Sequence, residues 1–202
     1  MAVALRDFVE QFASALNAAD ARRPTAVSPR SGRVYQPGIG PHPEDRAVDL
    51  MIAELATTRP DWRIALRQCY PASKQTCDLI LGDPPEWAIE IKMSRQNGDN
   101  GKPDDTAIKD ILSPFAVDRS ALTDCVKLAR SDIAPRRAIL IYGFDDARRP
   151  LEEIVSAFET LARTRVGLSS RCEAKIGPLV HPVHCTGSVF GWELLPRPVG
   201  TL

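Results

Sequence analysis

The stretch Cys77-Asp78-Leu79-Ile80-Leu81-Gly82-Asp83-Pro84-Pro85-Glu86-Trp87-Ala88-Ile89-Glu90-Ile91-Lys92 decides how this chain is read. Two apolar runs flank Gly82-Asp83-Pro84-Pro85, a cluster of turn-forming residues. Residues 75–81 and 86–92 are therefore expected to pair as a hairpin centred on Pro84. Asp78 and Glu90 then lie equally far from the centre and face each other, with Cβ atoms about 4.5–5.5 Å apart. Lys92, two positions beyond Glu90, shares their face, together with Ile80 and Ala88. The other face is Cys77, Leu79, Leu81, Trp87, Ile89 and Ile91, all apolar or thiol, and is expected to seal a core. A one-residue slip of register would scatter the charged group.

Two carboxylates at that separation repel each other. A hard divalent cation such as Mg²⁺ relieves the repulsion and takes oxygen ligands. A neighbouring ammonium can orient a water or stabilise charge on a phosphate. These are the parts of metal-assisted hydrolysis. The same residues also fit a surface hairpin carrying an Asp–Lys or Glu–Lys cross-strand pair.

Asp78, eleven intervening residues and then Glu90-Ile91-Lys92 resemble the signature of the PD-(D/E)XK nuclease superfamily, over roughly residues 43–145. The order of elements, a helix, a strand hairpin bearing the acids, then a helix and a strand, is the one that fold uses. The resemblance implies an α/β restriction-endonuclease-like core, a mixed central β-sheet flanked by helices. It implies that Asp78 and Glu90 bind Mg²⁺ (with Mn²⁺ as a substitute), helped by the Ile91 carbonyl, and that Lys92 positions the attacking water. Some members add a Glu from the preceding helix, and Glu44 matches it here. Cys77 stands where the pattern usually has Pro.

The rest of the chain is organised around this hairpin. Leu5, Phe8, Val9, Phe12, Ala15 and Leu16 predict an amphipathic helix over residues 2–19. Residues 20–43 hold five prolines and no periodicity, and read as a linker or long surface loop. Residues 1–42 are thus expected to form an N-terminal helix and arm, and 43–202 the nuclease-like domain. A second helix should begin near Pro43, with Val48, Met51, Ile52 and Leu55 inward and Glu44 on the same face. An extended stretch is expected over 62–68. After the hairpin, residues 94–106 are rich in Asn, Gly and Asp and read as a mobile loop. The next helix is expected to be capped by Ser113, with Leu122, Cys125, Val126 and Ala129 inward. A buried strand over 137–144, a helix over 151–163 and a last strand over 188–195, with Trp192 as a core residue, complete an α/β chain.

Beside the hairpin, Arg119, Thr123, Lys127 and Arg130 fall on one helix face. Arg119 and Lys127, with Arg95 in the following loop, are candidate nucleic-acid contacts. A solvated helix face is the alternative. Arg22, Arg23, Arg30 and Arg33 could form a basic arm or simply keep the linker soluble. Cys172, His181, His184 and Cys185 lack recognised zinc spacing and are expected to be loop and core residues.

Lys plus Arg and Asp plus Glu both number 26, so the formal net charge is zero. A histone-like nucleic-acid coat is excluded, but a nuclease with a local basic groove is not. Five cysteines without a CxxC motif, and a charged N-terminus unlike a signal peptide, point to reduced thiols in a cytoplasm. No apolar run reaches the length of a membrane span. The expected function is an Mg²⁺-dependent nuclease hydrolysing phosphodiester bonds, most readily DNA, of a restriction, repair or defence type, acting as a homodimer or within a larger complex. The alternative is a catalytically silent nucleic-acid-binding or subunit module of the same fold.

Overall fold

The computed structural model describes residues 3–28 and 31–196. The elements run α1 (Leu5–Ala21), α2 (Glu44–Thr58), β1 (Ile64–Cys69), β2 (Thr76–Leu81), β3 (Trp87–Arg95), α3 (Thr106–Leu112), a 3-10 turn (Ala116–Asp118), α4 (Ala121–Ala129), β4 (Arg136–Phe144), α5 (Leu151–Arg163), β5 (Gly167–Leu168), β6 (Cys172–Ile176) and β7 (Gly187–Leu195). Seven strands form one mixed sheet in the order β1-β2-β3-β4-β7-β5, with β6 also paired to β7. Among the described residues only β3 and β4 run parallel, and the crossover between them carries α3 and α4.

The hairpin has the expected register: Leu79 faces Ile89, Ile80 faces Ala88 and Leu81 faces Trp87. Alternation then sends Leu79, Leu81, Trp87, Ile89 and Ile91 into a core shared with α1 and α2. Ile80 and Ala88 enter a second core on the other face, against α4 and α5. Both hairpin faces are therefore sealed, which suits a strand pair in the middle of a two-layered α/β domain.

Cys77 departs from the alternation. It belongs to the second core, with Tyr70, Ile80 and Ala88, and not to the core that takes the Leu79 side chain. Opposite Asp78, the β1 residue Arg67 adopts left-handed backbone (φ 52°) between the paired positions Leu66–Leu79 and Gln68–Cys77. The regular pleat stops there, and strict side-chain alternation is not carried across it.

α1 begins at Leu5 and packs Phe8, Val9, Phe12 and Leu16 into the same core as the sheet. The described residues of the Pro-containing stretch that follows form no long element, yet Gly38 to His42 are buried. Asp20, at the end of α1, ties it down by accepting hydrogen bonds from the Ile39 and Val180 N–H groups at 2.8 and 2.6 Å. Of the arginines read as a basic arm, Arg22 pairs with Glu54, and Arg30 lies outside the described residues.

The segment after the hairpin is more ordered than its composition predicts. β3 continues to Arg95, and residues 106–112 form α3. Ser113 does not cap the following helix; it ends α3. The cap is Ser120, whose Oγ accepts the Thr123 N–H at 3.2 Å. No helix among the described residues is long and apolar enough to cross a membrane.

Candidate active site

β2 and β3 part company beyond the Leu79–Ile89 pair, and carboxylates fill the gap. Successive inward-pointing N–H groups of β3 lose their strand partner there, and buried donors of that kind need acceptors. The Ile91 N–H donates to Asp78 Oδ2 at 2.8 Å, and the Met93 N–H donates to Glu44 Oε2 at 2.5 Å. Glu44 can reach because it is the first residue of α2, with Pro43 as N-cap. The first turn of a helix also favours a carboxylate electrostatically. The sequence placed Glu44 on the inward face of this helix, and the structure brings it to the hairpin acids.

Together these residues line a cavity of about 670 Å³. Its floor is Glu44, Asp78, Glu90, Lys92, Asp124 and Lys127. Its rim includes Lys74, Gln75, Thr76, Ala116, Arg119 and Thr123. Lys92 Nζ lies 3.3 Å from Glu44 Oε1 and 3.2 Å from Asp124 Oδ2. Lys127 Nζ lies 2.8 Å from Glu90 Oε1 and 2.7 Å from Asp124 Oδ1. The Tyr70 hydroxyl donates to Glu90 Oε1. Asp124 thus bridges both ammonium groups, and Glu90 is held by Tyr70 and Lys127.

Four carboxylates face two ammonium groups on this floor, an acidic excess in a poorly solvated space. The effect is largest on Glu90, which is 2% exposed. Burial, then the charges of Asp78 and Asp124, push its carboxyl up to about 8, against the pull of Lys127. Burial likewise raises Glu44, although Lys92 and the Met93 N–H oppose it. Burial works against the charge on Lys92, yet Glu44, Asp124 and Asp78 outweigh it and the ammonium is held more firmly than usual. Lys127 is raised in the same way by Glu90 and Asp124.

The remaining candidates divide. The Ile91 side chain is buried in the core, so only its main chain faces the hairpin gap. Lys127 is a floor residue and not the rim contact its helix spacing suggested. Arg119 is exposed and on the rim. Arg95 lies away from the cavity, donating to the Gly40 carbonyl at 3.1 Å and sitting 4.0 Å from Asp99. His181 and His184 stack on each other, and His184 Nε2 lies 3.0 Å from Asp99 Oδ1.

Sequence reasoning missed Asp124 and Tyr70 as site residues. Asp124 had a signal: it sits on the buried stripe of α4 with Ala121, Leu122, Cys125 and Leu128. Tyr70 follows an edge strand and had none. Among the described residues, no group of three or more His, Cys, Asp or Glu side chains is placed to hold a metal ion. Comparison with family models, with curated proteins and with solved structures returns no match.

Proposed function

We propose that this chain is a metal-dependent nuclease of the PD-(D/E)XK type, with a restriction-endonuclease-like core, hydrolysing phosphodiester bonds in DNA. The observation that carries the proposal is the convergence of Glu44, Asp78, Glu90 and Lys92 on one cavity floor beneath a basic rim. Three separate elements supply these residues, α2, β2 and β3.

The donor set suits Mg²⁺. That ion is commonly held by one or two carboxylates, the other positions being water and substrate phosphate. Asp78 and Glu90 are the two carboxylates that would hold it, and they interact strongly enough for Asp78 to raise the Glu90 carboxyl. The acidic excess of the floor is the charge that a divalent cation would balance. When bound, such an ion supplies Lewis acidity and lowers the pKa of a coordinated water.

The chain's own groups have definable tasks. Lys92 stays protonated and is aimed by Glu44 and Asp124, so it can hold a water or a phosphate oxygen by charge-assisted hydrogen bonds. Arg119 and Lys74 offer cations to the flanking phosphates. Lys127, now on Glu90, would have to yield Glu90 to an incoming cation, with Asp124 retaining the ammonium.

That occupation of Glu90 favours a second reading, a nucleic-acid-binding module of the same fold whose acids are neutralised internally by Lys92 and Lys127. Incubation of the purified chain with plasmid, linear and single-stranded DNA and with RNA, in Mg²⁺ or Mn²⁺, separates the two. A nuclease cleaves at least one substrate, and Lys92→Ala lowers the rate by about 10²-fold or more, the scale of one lost transition-state contact. Binding without metal dependence or cleavage supports the module. Cleavage unchanged by Lys92→Ala removes that residue from the mechanism.

A further inference from the structure

The segment between α3 and α4, which lines one side of the cavity through Ala116 and Arg119, carries exposed apolar side chains. Phe115 is 67% exposed and Val117 86% exposed. They flank Ala116, which lines the cavity. Neither side chain can contribute much to folding at such exposure, since burial is what stabilises an apolar group. The segment that carries them is nonetheless firmly tied. Asp118 accepts a hydrogen bond from Ser113 Oγ and pairs with Lys109 at 2.9 Å. The buried Ser120 hydroxyl donates to the Ser113 carbonyl at 2.6 Å. The Asp118 N–H donates to the Phe115 carbonyl at 3.0 Å. Arg119, in left-handed backbone (φ 50°), then redirects the chain, and its side chain lines the cavity beside Ala116.

One tied segment therefore joins exposed apolar side chains to a cavity-lining cation, Arg119, and Lys74 is a second cation of the lining. Among the described residues neither cation is in an ion pair. An anion with a flat apolar group attached a short distance away matches that pairing of features, and a nucleotide within a strand is such a group. The face of a base is open to an aromatic ring only when the base is not stacked within an intact duplex. Resting on the reading of the cavity as a phosphodiester site, we infer that Phe115 is a base-stacking wedge that selects DNA with unpaired bases beside the bound phosphate.

The test uses the full chain and two probes, a short single-stranded oligodeoxynucleotide carrying one 2-aminopurine and the same strand in a fully paired duplex, with Ca²⁺ in place of Mg²⁺. Wild type should bind the single strand more tightly than the duplex and change the 2-aminopurine fluorescence. Phe115→Ala should weaken single-strand binding roughly 5- to 150-fold, the range of one lost aromatic–base stack, and abolish the fluorescence change. Phe115→Trp should restore both. Phe115 is exposed, so the variants should fold, and circular dichroism checks this. Equal binding by wild type and Phe115→Ala, weakened by Lys74→Ala with Arg119→Ala, would overturn the wedge and leave the nucleic-acid reading standing. No binding of either probe by wild type would overturn both. Self-association of wild type that Phe115→Ala abolishes, with oligonucleotide binding unchanged, would assign Phe115 to a contact between copies and overturn the wedge.

Discussion

Replacing Glu90 with Gln removes a buried carboxyl whose ionisation the fold opposes. In the folded chain its carboxyl is raised from 4.5 to about 8, because it is buried beside Asp78 and Asp124. Below about pH 4.5 the carboxyl is protonated in both the folded and unfolded chain, and above about pH 8 it is ionised in both. Between these limits the folded chain holds a proton that the unfolded chain has released. Stability is therefore greatest on the acid side of the window and falls as pH rises towards 8. At about 1.4 kcal/mol per pH unit the loss amounts to about 3–5 kcal/mol, spread over carboxylates that titrate together. Gln keeps an oxygen for the Tyr70 hydroxyl but cannot ionise. Urea unfolding across the window, without divalent cations, should show wild type losing stability with pH and Glu90→Gln following a much flatter curve. Parallel curves for the two proteins would refute the reasoning, because they would place the Glu90 titration outside the window.

Asp124→Asn breaks the bridge to Lys92 and Lys127. It should cost about 1.5–3 kcal/mol in urea unfolding near pH 7, the range for a charge-assisted hydrogen bond. It should also move the pH-dependent loss of stability to lower pH, since one of the anions raising Glu90 is gone. Asp20→Ala strands the buried N–H groups of Ile39 and Val180. It should destabilise the chain by about 2–5 kcal/mol, and Asp20→Asn, which keeps one acceptor, by less. A change within the error of the unfolding curves would show that another acceptor serves both groups.

Much of this fold was legible because the hairpin carries its own ruler. A turn of Gly and Pro between two apolar runs sets the centre, and the centre sets which residues oppose each other; Leu79–Ile89 and Leu81–Trp87 pair accordingly. α5 and β4 were legible for a similar reason, as strong periodic or continuous apolar runs. Cys77 was not, because the left-handed backbone at Arg67 breaks alternation, and nothing about an arginine in a strand announces it. Residues 94–106 misled at their start through composition: Asn, Gly and Asp suggested a loop, but pairing with β4 extends β3 to Arg95 whatever its local preferences. β6 fell in a stretch too short and too polar to read alone, and takes its place by pairing with β7.

In the candidate site, hairpin parity pointed to Asp78, Glu90 and Lys92, and the inward position of Glu44 on α2 to a fourth group; all four line one cavity, although the strand pairing ends at Leu79–Ile89, before Asp78 and Glu90. The ion pairs that organise them were out of reach. Whether Lys127 points to solvent or to Glu90 depends on how α4 lies across β3, which helix spacing does not specify. A charged stripe on a helix tells which residues are neighbours, not what lies beneath them.

The central claim is that Asp78 and Glu90 form a shared cation site, and calorimetric titration with Mn²⁺ and Mg²⁺ tests it without any choice of substrate. Wild type, Asp78→Asn and Glu90→Gln should be compared after each is shown to be folded. The expected result is binding by wild type that both substitutions abolish and that strengthens as pH rises towards 8, since the cation competes with the Glu90 proton. Binding that survives both substitutions would contradict the account, because the cation would then be held elsewhere in the chain.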